Sequence, residues 1–192
     1  MFDLDAKMSE QVRRRYNSGD TSLEFVFFWG HHPTTDVTSS CFSQWYETPF
    51  TEDGVTYSTA EHYMMAAKAK LFGDEDAHLQ ILAAPGPKAA KALGRKVRGF
   101  SEEVWREHRF EIVTRANRAK FGQHEDLCKF LLQTGDRVLV EASPYDQVWG
   151  IGLSGSDLRA RNPNQWRGLN LLGFALMEVR DELRTSELGS TA

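Results

Sequence analysis

Apolar and polar residues follow two different periods along this chain, and the period predicts where strands and helices lie. Residues 23–29 (LEFVFFW) form a run of aromatic and β-branched side chains, which is typical of a buried strand. A second strand is expected within 41–50, a third over 54–57 after an Asp-Gly turn, and a last one over 137–142. The sequence therefore predicts a few short strands spread widely along the chain.

Helical spacing accounts for most of the remaining apolar positions. Helices are predicted over 58–72, 74–84, 87–93, 102–121, 125–133 and 170–183. A charged helix over 8–16 is expected to stay outside the core. Ser58 and Glu61 open the first long helix with the spacing of a capping box, in which each side chain bonds to the other residue's backbone N–H. Five or six helices around a few strands predict a predominantly helical α+β protein with a single domain.

Composition limits the class of protein further. The chain has 192 residues and a mass of 21.8 kDa, which is enough to bury a core without disulfides. Its mean hydropathy is −0.48, and no apolar run approaches about 18 residues, so we expect no membrane span. The N-terminus lacks the apolar region of a secretory signal, and Cys41 and Cys128 form no metal-binding pair. We expect a cytoplasmic domain over 23–184, with an N-terminal extension (1–22) and a flexible tail (185–192).

Charge is distributed unevenly. The net charge of −4 argues against a general nucleic-acid binder. A run of basic residues without any acid nevertheless stands out: Lys88, Lys91, Arg95, Lys96 and Arg98. A looser basic group in the irregular stretch 143–168 consists of Arg159, Arg161 and Arg167. Such clusters suit a phosphate group, and a solvated surface is the alternative.

A carboxylate and an amine share one face of the helix predicted over 58–72. Glu61 and Lys68 are two turns apart, about 10 Å along the axis, and could flank one small cavity. Plain capping by Glu61 and a solvated Lys68 are the alternatives.

A second candidate group follows the last predicted strand, in the segment YDQVWGIG over 145–152. Asp146 would supply a rigid acid, Trp149 a surface for a flat heterocycle, and Gly150 room for close approach of a ligand. A turn closed by a core tryptophan is the alternative. Trp105, near the start of the helix over 102–121, is either a core residue or a further stacking contact.

Cofactor chemistry has no support in the motifs. The histidines lack zinc spacing, and the signatures of dinucleotide, nucleoside-triphosphate and serine-hydrolase sites do not occur. We expect neither a metal nor a cofactor. A site with carboxylates, an amine, tryptophans and cations suits a phosphorylated ligand with a flat base.

Several segments, in order, resemble the NADAR family of YbiA-type N-glycosidases. They are EFVFFWG (24–30), CFSQWYETPF (41–50), YSTAEHYMMAAKA (57–69), ALGRKVRGF (92–100), the block from 115 to 152 that ends in VEASPYDQVWGIG, and NLLGFALMEVRDEL (170–183). The block over 115–152 is the most specific. The resemblance spans about 24–183 and implies a YbiA-like fold and hydrolysis of N-glycosidic bonds to ribose.

The resemblance also implies roles for individual residues. Catalytic roles fall on Glu61, Lys68 and Asp146. Substrate contacts fall on Trp29, Gly30, Gln44, Arg95, Trp105, Trp149 and Gly150. The sequence departs from a known member at Ile151, where that member has an acid, and at Gln44, where it has Asn. The polar insert over 156–168 is longer than in compact members.

Two substrate classes follow from the family: ADP-ribosyl guanine in DNA or RNA, and phosphorylated ribosylamino-pyrimidine intermediates of riboflavin biosynthesis. Glu61 or Asp146 would act as acid or base on the C1′–N bond. Lys68 offers a second route through a Schiff base at C1′, provided that burial keeps the amine partly neutral. The other readings are a non-catalytic ADP-ribose or nucleotide-binding module and a structural interaction protein.

Overall fold

The computed structural model describes residues 4–32 and 34–190, with the side chains of 7–32 and 34–186. Residues 1–3 of the predicted extension and 191–192 of the predicted tail lie outside this range. Two compact units are present: one is formed by 31–129, and the other by the segments that flank it. None of the described helices is long and apolar enough to cross a membrane.

Seven helices and four strands are present in the described chain. The helices are α1 Leu4–Asn17, α2 Ala60–Leu71, α3 Glu75–Leu82, α4 Pro87–Gly94, α5 Glu102–Gln123, α6 Glu125–Leu132 and α7 Leu171–Ser190. The strands are β1 Phe25–Phe28, β2 Phe50–Glu52, β3 Val55–Tyr57 and β4 Val138–Glu141. The predicted α+β class is confirmed, with one or two helices more than expected.

Helix α2 is the centre of the 31–129 unit. It packs against α3, α4 and α5, and its residues from Ala60 to Ala66 are all buried. Strands β2 and β3 form an antiparallel hairpin whose Asp53 and Gly54 both have positive φ, as the Asp-Gly signal predicted. A helix buried on this many sides holds its polar side chains in fixed positions.

Strands β1 and β4 lie side by side in the second unit. They are parallel, with Phe25 opposite Val138 and Phe28 opposite Glu141, and α7 packs on β4. Asn170, at φ 57°, precedes α7 and binds β4 through its side chain, accepting from Glu141 N and donating to Leu139 O. The carboxyl ends of both strands therefore lie at one edge of this small sheet.

The irregular stretch after β4, residues 142–170, is held together by hydrogen bonds between backbone groups. Its backbone hydrogen bonds are donated by Ile151 N to Glu141 O, by Arg167 N to Ile151 O, by Leu169 N to Gln147 O and by Asn170 N to Gly150 O, with lengths between 2.9 and 3.2 Å. No Cβ could be accommodated at Gly168, because it would overlap Gly150 O. The stretch is a rigid platform although it contains neither a strand nor an α-helix.

Three predicted elements differ from the structure. The strand expected within 41–50 is a 3₁₀ turn over Ser39–Phe42 followed by loop, and only Phe50 enters a strand. The helix expected over 8–16 is longer and is not excluded from the core, because Ser9 and Val12 are 4% and 5% exposed. The last helix continues through Ser190 rather than ending at Leu183, so 185–190 are helical.

Candidate functional site

The start of α2 is capped one residue later than the sequence predicted. Thr59, not Ser58, is the N-cap, and its hydroxyl accepts from His62 N and contacts His62 Nδ1 at 2.8 Å. The third helical residue is therefore His62, and the capping box of Ser58 and Glu61 is not formed. Glu61 lies in the first turn, and its backbone N–H donates to Gln44 O rather than to the Ser58 hydroxyl.

Glu61 is held in the interior. The residue is 2% exposed, and its backbone N–H donates to Gln44 O at 2.9 Å. A carboxylate near a helix N-terminus is stabilised by the helix dipole. The structure thus gives Glu61 a fixed, dry location, which general acid–base chemistry requires.

Gln44 and Asn117 form a buried amide pair beside this turn. Asn117 Nδ2 donates to Gln44 Oε1 at 2.9 Å, and Gln44 is 5% exposed. Gln44 Nε2 is buried and has no hydrogen-bond partner in the described part of the chain. A donor left in this way is expensive unless a ligand or water accepts from it. Sequence reasoning missed Asn117, although an asparagine in the interior of a long helix is a usable signal.

Lys120 anchors the loop that carries Gln44. Its fully buried ammonium donates to Cys41 O at 2.6 Å and to Ser43 O at 3.0 Å. Burial lowers the pKa of Lys120 to about 8 and raises the pKa of the Cys41 thiol to about 12. This lysine, which the sequence did not single out, replaces the expected strand pairing as the support of 41–44.

Lys68 lies against aromatic rings. Its Nζ is 4.0 Å from the centroid of Phe100 and 5.5 Å from that of Trp105. Burial lowers the pKa of Lys68, and the charge of Glu102 opposes that shift. Trp105 itself is 8% exposed. Lys68 is therefore half-buried rather than fully solvated, and Phe100 is a neighbour that sequence reasoning missed.

The basic run between 88 and 98 is not one phosphate site. Arg98 is committed to Asp74 and Asp76, with closest contacts of 2.6 and 2.8 Å, and Lys91 lies 5.8 Å from the Trp45 ring centroid. Arg95 is exposed at the C-cap of α4, and no described side chain forms an ion pair with it. Arg95 is accordingly the arginine of this run that is available to a ligand.

Asp146 has one structural and one uncommitted oxygen. Its Oδ1 accepts from Val148 N at 2.9 Å and from Trp149 N at 2.7 Å, and its own N–H donates to Ser143 Oγ at 3.2 Å. Oδ2 has no partner within the described residues. The turn predicted as the alternative is present, and it fixes the carboxylate in place.

Trp149 and Gly150 continue this turn. The Trp149 side chain is half-buried, whereas Gly150 is fully buried. A Cβ at Gly150 would lie 2.8 Å from Glu141 O and 3.1 Å from Asp146 O. The packing of the backbone alone therefore requires a glycine here, and the close approach of a ligand to Gly150 stays a prediction.

Trp29 and Gly30 follow β1 directly. Trp29 is 60% exposed, and its ring lies 6.4 Å from that of Tyr145, which is 86% exposed. Gly30 has φ 94°, which other residues rarely adopt, and open space surrounds its Cα. Tyr145 was quoted within a motif but was not assigned a role from sequence.

The predicted site residues divide between the two units. The 31–129 unit carries Gln44, Glu61, Lys68, Arg95 and Trp105. The other unit carries Trp29, Gly30, Asp146, Trp149 and Gly150. Within the first unit the structure brings Glu61 to Gln44 and Lys68 to Trp105. Over 4–32 and 34–190 no cluster of three or more potential metal ligands is found.

Comparison with known proteins gives consistent results. The family model described as the NADAR domain matches residues 27–184. An N-glycosidase of Acanthamoeba polyphaga mimivirus is 43% identical over 164 residues, covering 83% of this chain and 96% of its own length. N-glycosidase YbiA of Escherichia coli is 34% identical over 142 residues, covering 74% and 80% of the two chains.

The fold has a counterpart among solved structures. The NMR structure of the Escherichia coli protein YbiA superposes with a TM-score of 0.69 at 31% identity, and the match covers 86% of this chain and 88% of that one. Sequence and fold therefore point to the same relatives.

Proposed function

Because this chain belongs to the NADAR domain family and its relatives are N-glycosidases, it is a hydrolase of N-glycosidic bonds, and we propose that Lys68 is its nucleophile. The proposed substrate is a ribosyl group, carried by a phosphate or by ADP, linked through C1′ to the nitrogen of a base. Glu61 and Asp146 are the proposed acid and base residues.

The surroundings of Lys68 carry the proposal. An amine attacks carbon only in its neutral form, and burial against Phe100 and Trp105 favours that form by lowering the pKa. The rings contact the ammonium without donating or accepting a strong hydrogen bond, so the nitrogen lone pair stays available after deprotonation. A lysine that lies against aromatic rings is better suited to forming an imine than a lysine that is paired with a carboxylate.

The covalent route balances without a cofactor. The C1′–O4′ bond of the ribose breaks as the lone pair of the base nitrogen forms a C1′=N iminium, and the ring oxygen O4′ takes up a proton. Lys68 Nζ adds to C1′, a proton is delivered to the base nitrogen, and the C1′–base bond breaks to leave a lysine imine. Water then adds to the imine carbon, and the free ribosyl group and the amine are released.

The acids have separate tasks in this scheme. Glu61, buried at the start of α2, can hold a proton for the leaving base. Asp146 presents one uncommitted oxygen from a rigid turn, which suits stabilisation of positive charge at C1′. Gln44 Nε2 is a buried donor without a partner in the described chain, which supports a hydrogen bond to a substrate oxygen.

The remaining predicted contacts bind the ends of the substrate. Arg95, exposed and without an ion pair among the described residues, is the proposed phosphate ligand. Trp149 and Trp29 offer aromatic faces for a planar base. Neither cysteine forms a disulfide, which agrees with the cytoplasmic location that we propose.

Borohydride trapping tests the nucleophile. The protein is incubated with ADP-ribosylated guanine oligonucleotide or, separately, with phosphorylated ribosylamino-pyrimidine, and is then reduced. We expect base release with one of the two and a ribosyl adduct on Lys68 by peptide mass spectrometry. Release of base from neither substrate would favour the alternative of a non-catalytic nucleotide-binding module.

Three variants sharpen the test. Lys68→Met and Lys68→Arg remove the amine nucleophile, the second while keeping a cation, and both should lower turnover about a thousandfold or more. Lys70→Ala removes an exposed lysine from the same helix and serves as the matched control. Turnover by Lys68→Arg near the wild-type rate would exclude the imine route and leave direct hydrolysis by the two acids.

A further inference from the structure

Helix α1 has no part in the chemistry proposed above. It precedes the segment that matches the NADAR family model, which starts at residue 27. The helix is nevertheless packed into the second unit, where Ser9 and Val12 are 4% and 5% exposed. It contacts the 3₁₀ turn Pro163–Gln165, which belongs to the platform after β4. Helix α1 thus lies outside the matched segment and yet contacts the platform that carries Asp146.

Two side chains of α1 donate hydrogen bonds to backbone carbonyls of the platform. Arg13 Nε donates to Pro163 O at 3.2 Å, and Ser9 Oγ donates to Leu169 O at 3.3 Å. Arg13 is half-buried and makes no ion pair with any side chain that the structure describes. Its hydrogen bond to Pro163 O is therefore the polar contact that it contributes.

Another face of α1 is packed less closely. A cavity of about 300 Å³ lies between this helix, β4 and α7, and its apolar lining consists of Met8, Val12, Val138, Phe174 and Met177. Side chains that line a void lack partner atoms on one side and lose the attraction that those atoms would supply. The position of α1 therefore depends on its polar bonds to the platform more than the position of a closely packed helix would.

The turn that carries Asp146 is bonded to the end of the same platform. Three consecutive carbonyls of this turn accept from backbone groups around the start of α7. The bonds run from Leu169 N to Gln147 O, from Leu171 N to Val148 O and from Leu172 N to Trp149 O, at 3.0 to 3.2 Å. The N–H groups of Val148 and Trp149 are in turn the donors that orient Asp146 Oδ1. The direction of the carboxylate thus depends on where residues 169–172 lie.

Leu169 links the two sets of bonds directly. Its C=O accepts from Ser9 in α1, and its N–H donates to Gln147, the residue after Asp146. The N–H and the C=O of one residue belong to adjoining planar peptide units, so a displacement of one unit is passed to the other. A shift of α1 would therefore reach the turn of Asp146 through a single residue.

We propose that Arg13 and Ser9 are positioning residues, which keep the carboxylate of Asp146 in place by holding Pro163 O and Leu169 O. The proposal rests on the proposed function in one respect, the role of Asp146 at C1′. A group that stabilises charge developing in the transition state must be oriented beforehand, and a misplacement of about 1 Å by a distant change can cost about 100-fold in rate. Both side chains should therefore act on kcat and only weakly on KM.

Two replacements of Arg13 separate its hydrogen bond from its charge. In Arg13→Gln, the amide Nε2 stands as many bonds from the backbone as the arginine Nε does, so the donor is kept while the charge is lost. Arg13→Met has a similar length and no donor. Arg14→Met is the matched control, because Arg14 is exposed on the same helix and its partner is Glu10, 3.1 Å away.

The rate of base release is the first readout, measured where urea unfolding shows every variant to be folded. The substrate is ADP-ribosylated guanine oligonucleotide or phosphorylated ribosylamino-pyrimidine, whichever the wild type cleaves. Arg13→Met should lower kcat roughly tenfold and leave KM within about threefold, and Ser9→Ala should lower kcat less. Arg13→Gln and Arg14→Met should stay within about twofold of wild type.

Two kinetic outcomes would overturn the proposal. An equal loss of kcat in Arg13→Gln and Arg13→Met would show that the charge matters and the bond to Pro163 O does not. A rise in KM at unchanged kcat would show that α1 acts on substrate binding and not on the acid.

Amide hydrogen exchange of the free protein is the second readout, and it needs no substrate. Peptides that cover 143–152 should exchange roughly threefold faster or more in Arg13→Met, because the loss of one hydrogen bond loosens the turn. In Arg13→Gln they should exchange as slowly as in wild type. Peptides from α5, which belongs to the 31–129 unit, are the internal reference. Unchanged exchange over 143–152 in both Arg13→Met and Ser9→Ala would overturn the proposal.

The two readouts separate this proposal from the proposed function. If the wild type cleaves neither substrate and Arg13→Met still loosens 143–152, the proposed function fails and the hold of α1 on the turn stands. If the wild type cleaves a substrate and Arg13→Met changes neither kcat nor exchange, the positioning role alone fails.

Discussion

At the scale of single residues, two lysines of the 31–129 unit are withdrawn from water in different ways. Lys120 is enclosed completely, with the carbonyls of Cys41 and Ser43 as acceptors. Lys68 is half-buried against Phe100 and Trp105. Burial lowers the pKa of both, but only Lys68 remains open to a substrate. Lys120, enclosed by carbonyl groups, has a structural role, whereas Lys68, which contacts aromatic rings, keeps an amine that can react with a substrate.

The anchor should be visible in the pH dependence of stability. Burial depresses the folded-state pKa of Lys120 from 10.5 to about 8. Between these values the unfolded chain binds more protons, so this residue raises stability as pH rises from about 8 to 10.5, by a few kcal/mol. Lys120→Met should lose that rise. The measurement is urea unfolding of both proteins at pH 7 to 10.5.

One outcome of the urea experiment would contradict this prediction for Lys120. If wild type and Lys120→Met show parallel stability curves across this range, the buried lysine does not titrate there. The comparison at pH 7 alone is not diagnostic, since the variant also leaves the carbonyls of Cys41 and Ser43 without their donor.

At the scale of elements, the first turn of α2 shows how tertiary contacts choose between neighbouring candidates. Ser58 and Thr59 are both suitable caps by residue type. In a capping box, Glu61 N would donate to Ser58 Oγ. It donates instead to Gln44 O, and the Thr59 hydroxyl contacts both His62 N and His62 Nδ1. The choice depends on a histidine ring and on a loop 17 residues earlier in the chain.

Removal of the two hydroxyls should therefore have unequal effects. Thr59→Ala loses the cap and a buried contact of His62, and it should reduce the free energy of unfolding by about 1–2 kcal/mol. Ser58 is exposed, and Ser58→Ala should stay within about 0.5 kcal/mol of wild type. Thermal and urea unfolding of the two variants decide the matter, and a reversed order would restore the capping box.

Helices were easier to foresee than strands, for a local reason. The helices over 58–72 and 102–121 have caps, breakers and periodic apolar positions in their own sequence. The segment 41–50 has only apolar and aromatic content, which fits a strand equally well. It is a 3₁₀ turn and loop because Lys120, 79 residues from Cys41, supplies its hydrogen bonds. Nothing within the segment carries that information.

At the scale of the whole molecule, several titratable side chains have lowered pKa values in the folded state, which favours folding near neutral pH over folding in acid. Hydrogen bonds and arginine partners hold the pKa of Asp20 and of Asp157 at about 2 and that of Asp74 well below its ordinary value. Burial lowers the pKa of His62 and so favours its neutral ring. Each of these groups binds protons more readily in the unfolded chain.

Acid should therefore weaken the protein in two stages. Stability falls first as pH drops below about 6.5, where His62 binds a proton more readily in the unfolded chain than in the folded one. It falls again below about 4, where the paired carboxylates become protonated and lose their ion pairs. His62→Gln should flatten the first stage, and His108→Gln, at an exposed position, should not. Urea midpoints from pH 8 to pH 2 measure both, and a single decline below pH 4 in wild type would contradict the role of His62.

The candidate site was only partly predictable for the same reason as the fold. Local motifs singled out Asp146 and Trp149, since the acid and its turn are contiguous. The partners that give Glu61 and Lys68 their surroundings were not visible, because Asn117, Lys120 and Phe100 reach them only after folding. The ion pairs of Arg98, which was counted in the basic run, could not be foreseen, since its partners Asp76 and Asp74 lie 22 and 24 residues earlier.

The platform after β4 has a consequence for how this protein can vary. Asp146 is oriented by main-chain groups, and the surrounding stretch is joined by main-chain bonds whose glycines leave no room for side chains. Outward-facing positions beside it, such as Tyr145 and Gln147, can accept new residues without tilting the acid. Single substitutions at these exposed positions can thus change the substrate preference, whereas one inserted or deleted residue would disturb the backbone hydrogen bonds of the stretch.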